Sequence, residues 1–143
     1  MRLWVVAFLA IALIGADQPP GKKPKNRDGD WMVVTMIQDG AALPADKLAN
    51  MNKRFSGNKY AVQIGDEVVD EGTMTVDETK KPWAIDRKST SGLFQGQTFL
   101  GIVEDGADGS MKICWAMPGK DRPKEFSSKA GSGHIYEVLK RKK

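Results

Sequence analysis

Ser132 and His134 are the first residues in this chain to suggest chemistry. A serine hydroxyl two positions from an imidazole invites a nucleophile and its base, but such a pair works only when a third group orients the base. His134 is the one histidine present, and the local string Ala130-Gly131-Ser132-Gly133-His134 is not the Gly-x-Ser-x-Gly elbow of serine hydrolases. The glycines fit a turn leading into a last strand. Cys114 is the single cysteine. On a strand it shares a face with Lys112 and Ala116, while Met111, Ile113, Trp115 and Met117 take the other. A neighbouring lysine would lower the thiol pKa, but a lone cysteine is more commonly a small buried hydrophobe. One histidine and one cysteine far apart in sequence give no transition-metal spacing. Asp105 and Asp108 flank glycines but bring too few oxygens for calcium, so turn chemistry accounts for them better. Glu67, Asp70 and Glu71 adjoin the Gly65-Asp66 turn and read as charges of a surface hairpin, without the burial that splits the pKa values of a glycosidase pair. No catalytic residue, metal or cofactor is expected, and the chain reads as non-enzymatic.

The aromatic residues are more informative. Trp31, Tyr60, Phe99 and Trp115 all fall in strand-like runs. A small barrel either packs such rings in its interior or leaves room among them for an apolar ligand. These four residues are the expected ligand contacts. Seven methionines would make the lining adaptable. Trp83 follows Pro82 at the start of a run, which suits an exposed position at a rim.

Short runs rich in β-branched and aromatic residues carry these rings, punctuated by Gly, Asp and Asn. Trp31–Gln38 ends at Asp39-Gly40 and is apolar on both faces, which predicts cover on both sides. Pro44–Arg54 is the helical candidate: Pro44 suits a first helical position, and Leu48 and Met51 lie three apart. Strands are expected at Tyr60–Ile64, Val68–Val76, Trp83–Thr90, Thr98–Glu104, Ser110–Ala116 and Ile135–Lys140. Gly72 falls in mid-strand, where a bulge is expected. The short connections predict an all-β fold: an antiparallel barrel of about eight strands with one short helix. Closure would also remove exposed strand edges.

The chain of 143 residues has room for one domain. Met1 and Arg2 precede the apolar run Leu3–Ile14, then the small residues Gly15 and Ala16, then polar sequence. That order is a secretory leader, and the run falls short of the roughly 20 apolar residues a membrane span needs. The expected organisation is a signal peptide at 1–16, a flexible basic linker at 17–28, a barrel domain at 29–141 and a basic tail at 142–143. Residues 17–28 hold Pro19, Pro20 and Pro24 and no aliphatic or aromatic side chain, as a spacer does. The formal net charge of +4 belongs to the ends, through Lys22, Lys23, Lys25 and Arg27 at one and Lys140–Lys143 at the other. The body between them carries more acid than base, which argues against nucleic acid as a partner. An exported domain with one cysteine has no internal disulfide, so burial must stabilise it. A monomer with no transmembrane span after cleavage is expected.

Two resemblances follow from particular residues. Gly29-Asp30-Trp31 with Val33 and Val34, Asp39-Gly40 with Leu43-Pro44, and Glu71-Gly72-Thr73 are similar to an uncharacterised family of exported domains abundant in planctomycete bacteria. So are Asp77 with Lys80-Lys81-Pro82, Ile85-Asp86, and Leu100-Gly101-Ile102. The most specific block is the late one: Pro118-Gly119, Arg122-Pro123, Glu125-Phe126, Ser128, Gly131-Ser132-Gly133 and Leu139-Lys140-Arg141. The likeness spans Gly29 to Arg141 and implies export, but no known activity. The second resemblance, Gly-x-Trp on the opening strand with a basic residue on the closing strand, is to lipocalins. It implies a barrel floor built from Gly29, Trp31 and Arg141 (or Lys140), the cation stacked on the indole. It also implies a cavity for a small apolar or amphipathic ligand. The alternative expectation is a protein–protein or inhibitor-like module of the cell envelope, using an edge strand, the Asp105–Gly109 hairpin or the Gly119–Gly133 segment.

Overall fold

Alternating runs separated by glycine turns zip, hairpin after hairpin, into one antiparallel sheet that closes on itself. A computed structural model describes residues 26–142. The expected leader, residues 17–25 of the spacer and Lys143 lie outside the described residues. The elements are β1 (Gly29–Gln38), β2 (Ala41–Ala42), α1 (Ala45–Leu48), β3 (Met51–Ser56), β4 (Lys59–Ile64), β5 (Glu67–Asp77), β6 (Trp83–Gly92), β7 (Thr98–Asp105), β8 (Met111–Ala116) and β9 (His134–Arg141). The strands from β3 to β9 each pair with their sequence neighbours, while β1 pairs with β3 on one side and β9 on the other. The result is a closed eight-stranded, lipocalin-like barrel, with β2 as a short ninth strand on β1. Among the described residues no helix is long and apolar enough to cross a membrane.

The floor is the end where β1 begins and β9 finishes. Arg141 lies over the Trp31 ring at 4.5 Å, and Trp31 packs 6.4 Å from Phe55. Gly29 sits at φ +122°, where a side chain would be strained, and a Cβ there would lie 3.2 Å from Arg141 Nη1. The last residues of the expected spacer are part of this floor and not of a flexible linker. Trp31 Nε1 donates to Arg27 O at 2.9 Å. The Arg27 guanidinium binds Asp105 at 3.1 Å and lies 5.4 Å over Trp83. Asp28 Oδ1 accepts from Gly57 N, and Arg141 donates to the carbonyls of Asn26 and Asp28. Apart from Trp31, four residues on from Arg27, these partners lie from 29 to 115 residues away, so composition alone could not show that Asn26–Asp28 belong to the body.

The expected helix over Pro44–Arg54 is also corrected. It makes one turn, Ala45–Leu48, that seats Leu48 on the core. Met51–Ser56 form a strand instead, with Lys53 and Phe55 pointing inward. An inward lysine disguised the alternation as a polar helix face.

The outer face of β1 is not covered, contrary to expectation: Met32 and Val34 are both nearly 40 % exposed, at 38 % and 39 %. A bulge between Val33 and Thr35 shifts the alternation, so Met36 turns back towards the core. A second bulge falls at Gly72, the expected place. A Cβ on Gly72 would lie 1.9 Å from Lys88 O, so only glycine permits this approach of β5 to β6.

Inside, the floor half of the barrel is dry. Trp31, Val33, Phe55, Met74, Ile85, Val103, Met111, Ile113 and Leu139 pack there with at most 7 % exposure. The opposite end is the mouth, where Met36, Met51, Phe94, Met117 and Ile135 pack half-buried on the core. Outside the wall, the chain between β8 and β9 lies across β6–β8. Arg122 Nη1 donates to Gly101 O at 2.8 Å and pairs with Asp86 at 2.7 Å. This cover buries the outward-facing Ala84, Ile102, Cys114 and Ala116.

Candidate functional site

Between the dry floor and the mouth lies a layer that a hydrophobic core does not need. The inward positions of four strands carry Lys53 on β3, Asp70 on β5, Arg87 and Ser89 on β6, and Glu137 on β9, with Tyr60 on β4 and Trp115 on β8 beside them. All five polar residues are buried: Lys53 5 % exposed, Asp70 2 %, Arg87 8 %, Ser89 1 % and Glu137 1 %. Glu137 occupies an inward register between Ile135 and Leu139, and Lys53 one between Met51 and Phe55, while Arg87 and Ser89 follow Ile85 along β6.

The four charges form two pairs. The Lys53 ammonium contacts Glu137 Oε1, which also accepts from Trp115 Nε1 at 3.0 Å. Arg87 Nη2 lies 3.9 Å from Asp70 Oδ2. Asp70 accepts from Ser89 Oγ at 2.5 Å and from Tyr60 OH at 3.2 Å. The Arg87 guanidinium is walled by rings, 4.1 Å from the Phe99 centroid, 4.9 Å from Trp115 and 5.3 Å from Tyr60. Phe94 from the mouth meets Phe99 edge-on at 5.1 Å. Two fully enclosed polar atoms of this layer, each with under 1 Å² of surface, make no hydrogen bond: Arg87 Nε and Glu137 Oε2.

Burial dominates the titration behaviour here. It pushes the Lys53 ammonium below the usual lysine range, with Glu137 pulling the other way. It raises the Tyr60 phenol to about 12, against the opposing field of Arg87. A charge taken out of water carries a penalty of several kcal/mol, which a buried pair only about recovers. Four ionisable side chains in one small barrel are therefore weak stabilisers, and perturbed buried groups of this kind concentrate where proteins bind or react.

Of the four expected ligand contacts, the structure gathers three. Tyr60, Phe99 and Trp115 surround Arg87, while Trp31 lies apart at the floor on Arg141. The rings enclose a cation where an apolar cavity was expected. Reading Asp70 as a surface charge is overturned by its 2 % exposure, although Glu67 and Glu71 are exposed. Lys53, Arg87, Ser89 and Glu137 went unrecognised in the sequence. Their signal was a charge or hydroxyl at an inward step of an apolar alternation, as in Ile85-x-Arg87 and Met51-x-Lys53-x-Phe55.

The remaining candidates resolve into structure. Ser132 Oγ donates to Lys129 O at 2.5 Å and accepts from the backbone N of His134 at 3.2 Å, closing a turn between Gly131 and Gly133, both at positive φ. Cys114 is fully buried, its Sγ 3.3 Å from Ser127 O, and burial raises its thiol pKa. Asp108 is held by Ser110, whose N and Oγ both donate to it, and Asp105 is taken by Arg27. Trp83 is half-buried between Arg27 and Lys81. A cleft of about 380 Å³ runs along the outer wall between Lys80–Pro82 and Arg122–Lys124, outside the barrel.

Comparison with protein-family models and with curated proteins returns no match for this chain.

Proposed function

We propose that the protein is an exported, monomeric, non-enzymatic barrel that binds one small amphipathic molecule in its mouth, with the ligand's polar group reaching the charged layer. The observation that carries this reading is the layer itself: four buried charges, ringed by Tyr60, Phe99 and Trp115, that include an unpartnered donor and an unpartnered acceptor. Buried polar groups in folded proteins are almost always satisfied, and an apolar layer in their place would stabilise the barrel as well or better. The mouth above them is lined by methionines and Phe94, whose side chains can repack around an apolar tail. Export is supported by the leader pattern of residues 1–16 and by the family resemblance.

Native mass spectrometry of the protein purified from its own host tests the proposal. The expected result is a small-molecule adduct of defined mass, absent after denaturation and absent from a variant carrying both Lys53→Met and Glu137→Leu. Bare protein, or an adduct that survives in that variant, refutes it. A second reading is an envelope module that binds a protein partner. It is favoured by Leu93, Val68 and Ile64, which stand 73 %, 49 % and 44 % exposed near the mouth-side turns. Co-purification of a protein and no small molecule would select it.

A further inference from the structure

We infer, resting on the ligand-binding reading above, that the polar group this barrel accepts is uncharged and both donates and accepts hydrogen bonds, as a hydroxyl or a primary amide does. The layer is balanced: Lys53 and Arg87 against Asp70 and Glu137. Its internal bonds use Glu137 Oε1, both Asp70 oxygens, Trp115 Nε1, Tyr60 OH and Ser89 Oγ. Sealed within the layer, with under 1 Å² of surface each, one acceptor and one donor are left without a partner, Glu137 Oε2 and Arg87 Nε, and Arg87 Nη2 reaches Asp70 only at 3.9 Å. Both residues flank the same indole. Trp115 donates its Nε1 to Glu137 and offers its ring to the Arg87 guanidinium at 4.9 Å.

A guest that donates to Glu137 Oε2 and accepts from Arg87 Nε completes both without changing the charge. A carboxylate can accept from Arg87 but faces the Glu137 and Asp70 carboxylates. An ammonium can donate to Glu137 but faces Arg87 and Lys53. Either ion adds a fifth charge to a balanced, desolvated set, and an unpaired ion at such a site is penalised heavily. A site built around hydrogen-bonding atoms also rejects analogues that leave those atoms unpaired. The apolar side chains at the mouth, Met36, Met51, Met117 and Phe94, treat the tails of all such guests alike.

Four probes with one tail separate the possibilities: 1-octanol, octanamide, octanoate and octylammonium, titrated at pH 7 by tryptophan emission and calorimetry. Octanol and octanamide are expected to bind at least about tenfold more tightly than either ion, the equivalent of about 1.4 kcal/mol. Octanoate or octylammonium binding as well as octanol overturns this inference and leaves the ligand-binding reading standing. No binding by any of the four removes both. Two variants shift the charge in opposite directions. Glu137→Gln is expected to move the preference towards octanoate by about tenfold, and Lys53→Met towards octylammonium. Circular dichroism establishes that each variant is folded. Unchanged preference in a folded variant overturns the inference, and should one variant fail to fold, the other carries the test alone.

Discussion

Replacing Lys53 by methionine leaves the Glu137 carboxylate 1 % exposed, without its ammonium partner. Breaking a buried pair from one side typically costs about 3–5 kcal/mol. Glu137→Leu should cost as much and more. It strands the Lys53 ammonium against Arg87, and it strips Trp115 Nε1 of its acceptor, worth a further ~1–3 kcal/mol. The double variant K53M/E137L removes both charges and fills the space with apolar atoms. Such exchanges are neutral or stabilising by about 1–4 kcal/mol, which the orphaned Trp115 N–H largely offsets. The double variant should therefore lie within about 2 kcal/mol of the parent, and the cycle should show a coupling of at least about 4 kcal/mol. Urea unfolding at pH 7, followed by tryptophan emission and far-ultraviolet circular dichroism with a common m-value, measures all four corners. Single variants costing less than about 1 kcal/mol would show that the pair is solvated. A double variant as unstable as the two singles summed would show that the charges are structural in their own right. The case that they persist for a ligand would then fail.

Other expectations are independent of the ligand. Gly72→Ala should destabilise by at least about 2 kcal/mol, because the added carbon meets the Lys88 carbonyl at 1.9 Å. Gly57→Ala, with open space but φ +59°, should cost about 1 kcal/mol; equal losses in chemical denaturation would refute the steric argument. Arg141→Ala removes the stacking on Trp31 and the bonds to Asn26 O and Asp28 O, and should cost about 1–2 kcal/mol, a fall of roughly 4 °C in Tm per kcal/mol. Arg141→Lys should restore less than half of that, because an ammonium lacks the planar fork. The raised pKa of Tyr60 makes stability pH-dependent in a defined direction. The native state holds its proton longer than the unfolded chain, so the stabilisation is complete below about pH 10 and is lost as pH rises towards about 12. Unfolding measured across that interval should show the loss, and Tyr60→Phe should reduce it; an unchanged slope in the variant refutes the assignment.

Most of the barrel was legible in the chain. Runs of β-branched and aromatic residues between Gly, Asp and Asn turns marked β1 and the strands from β4 to β9, and Gly72 announced its bulge, because both signals are local properties of a pleated backbone. The strand β3 was not legible, because its inward lysine breaks the apolar pattern that defines a strand face. Lys53 is inward only because Glu137 meets it from 84 residues away. The same holds for the floor: Arg27 reads as one more charge in a basic spacer until the fold brings Asp105 and Trp83 beside it. Local sequence thus determined that this chain would form short antiparallel strands and where they would turn. Which of its charges would leave water was decided only by closure of the barrel, since a buried ion is tolerable only beside a partner that the tertiary structure supplies.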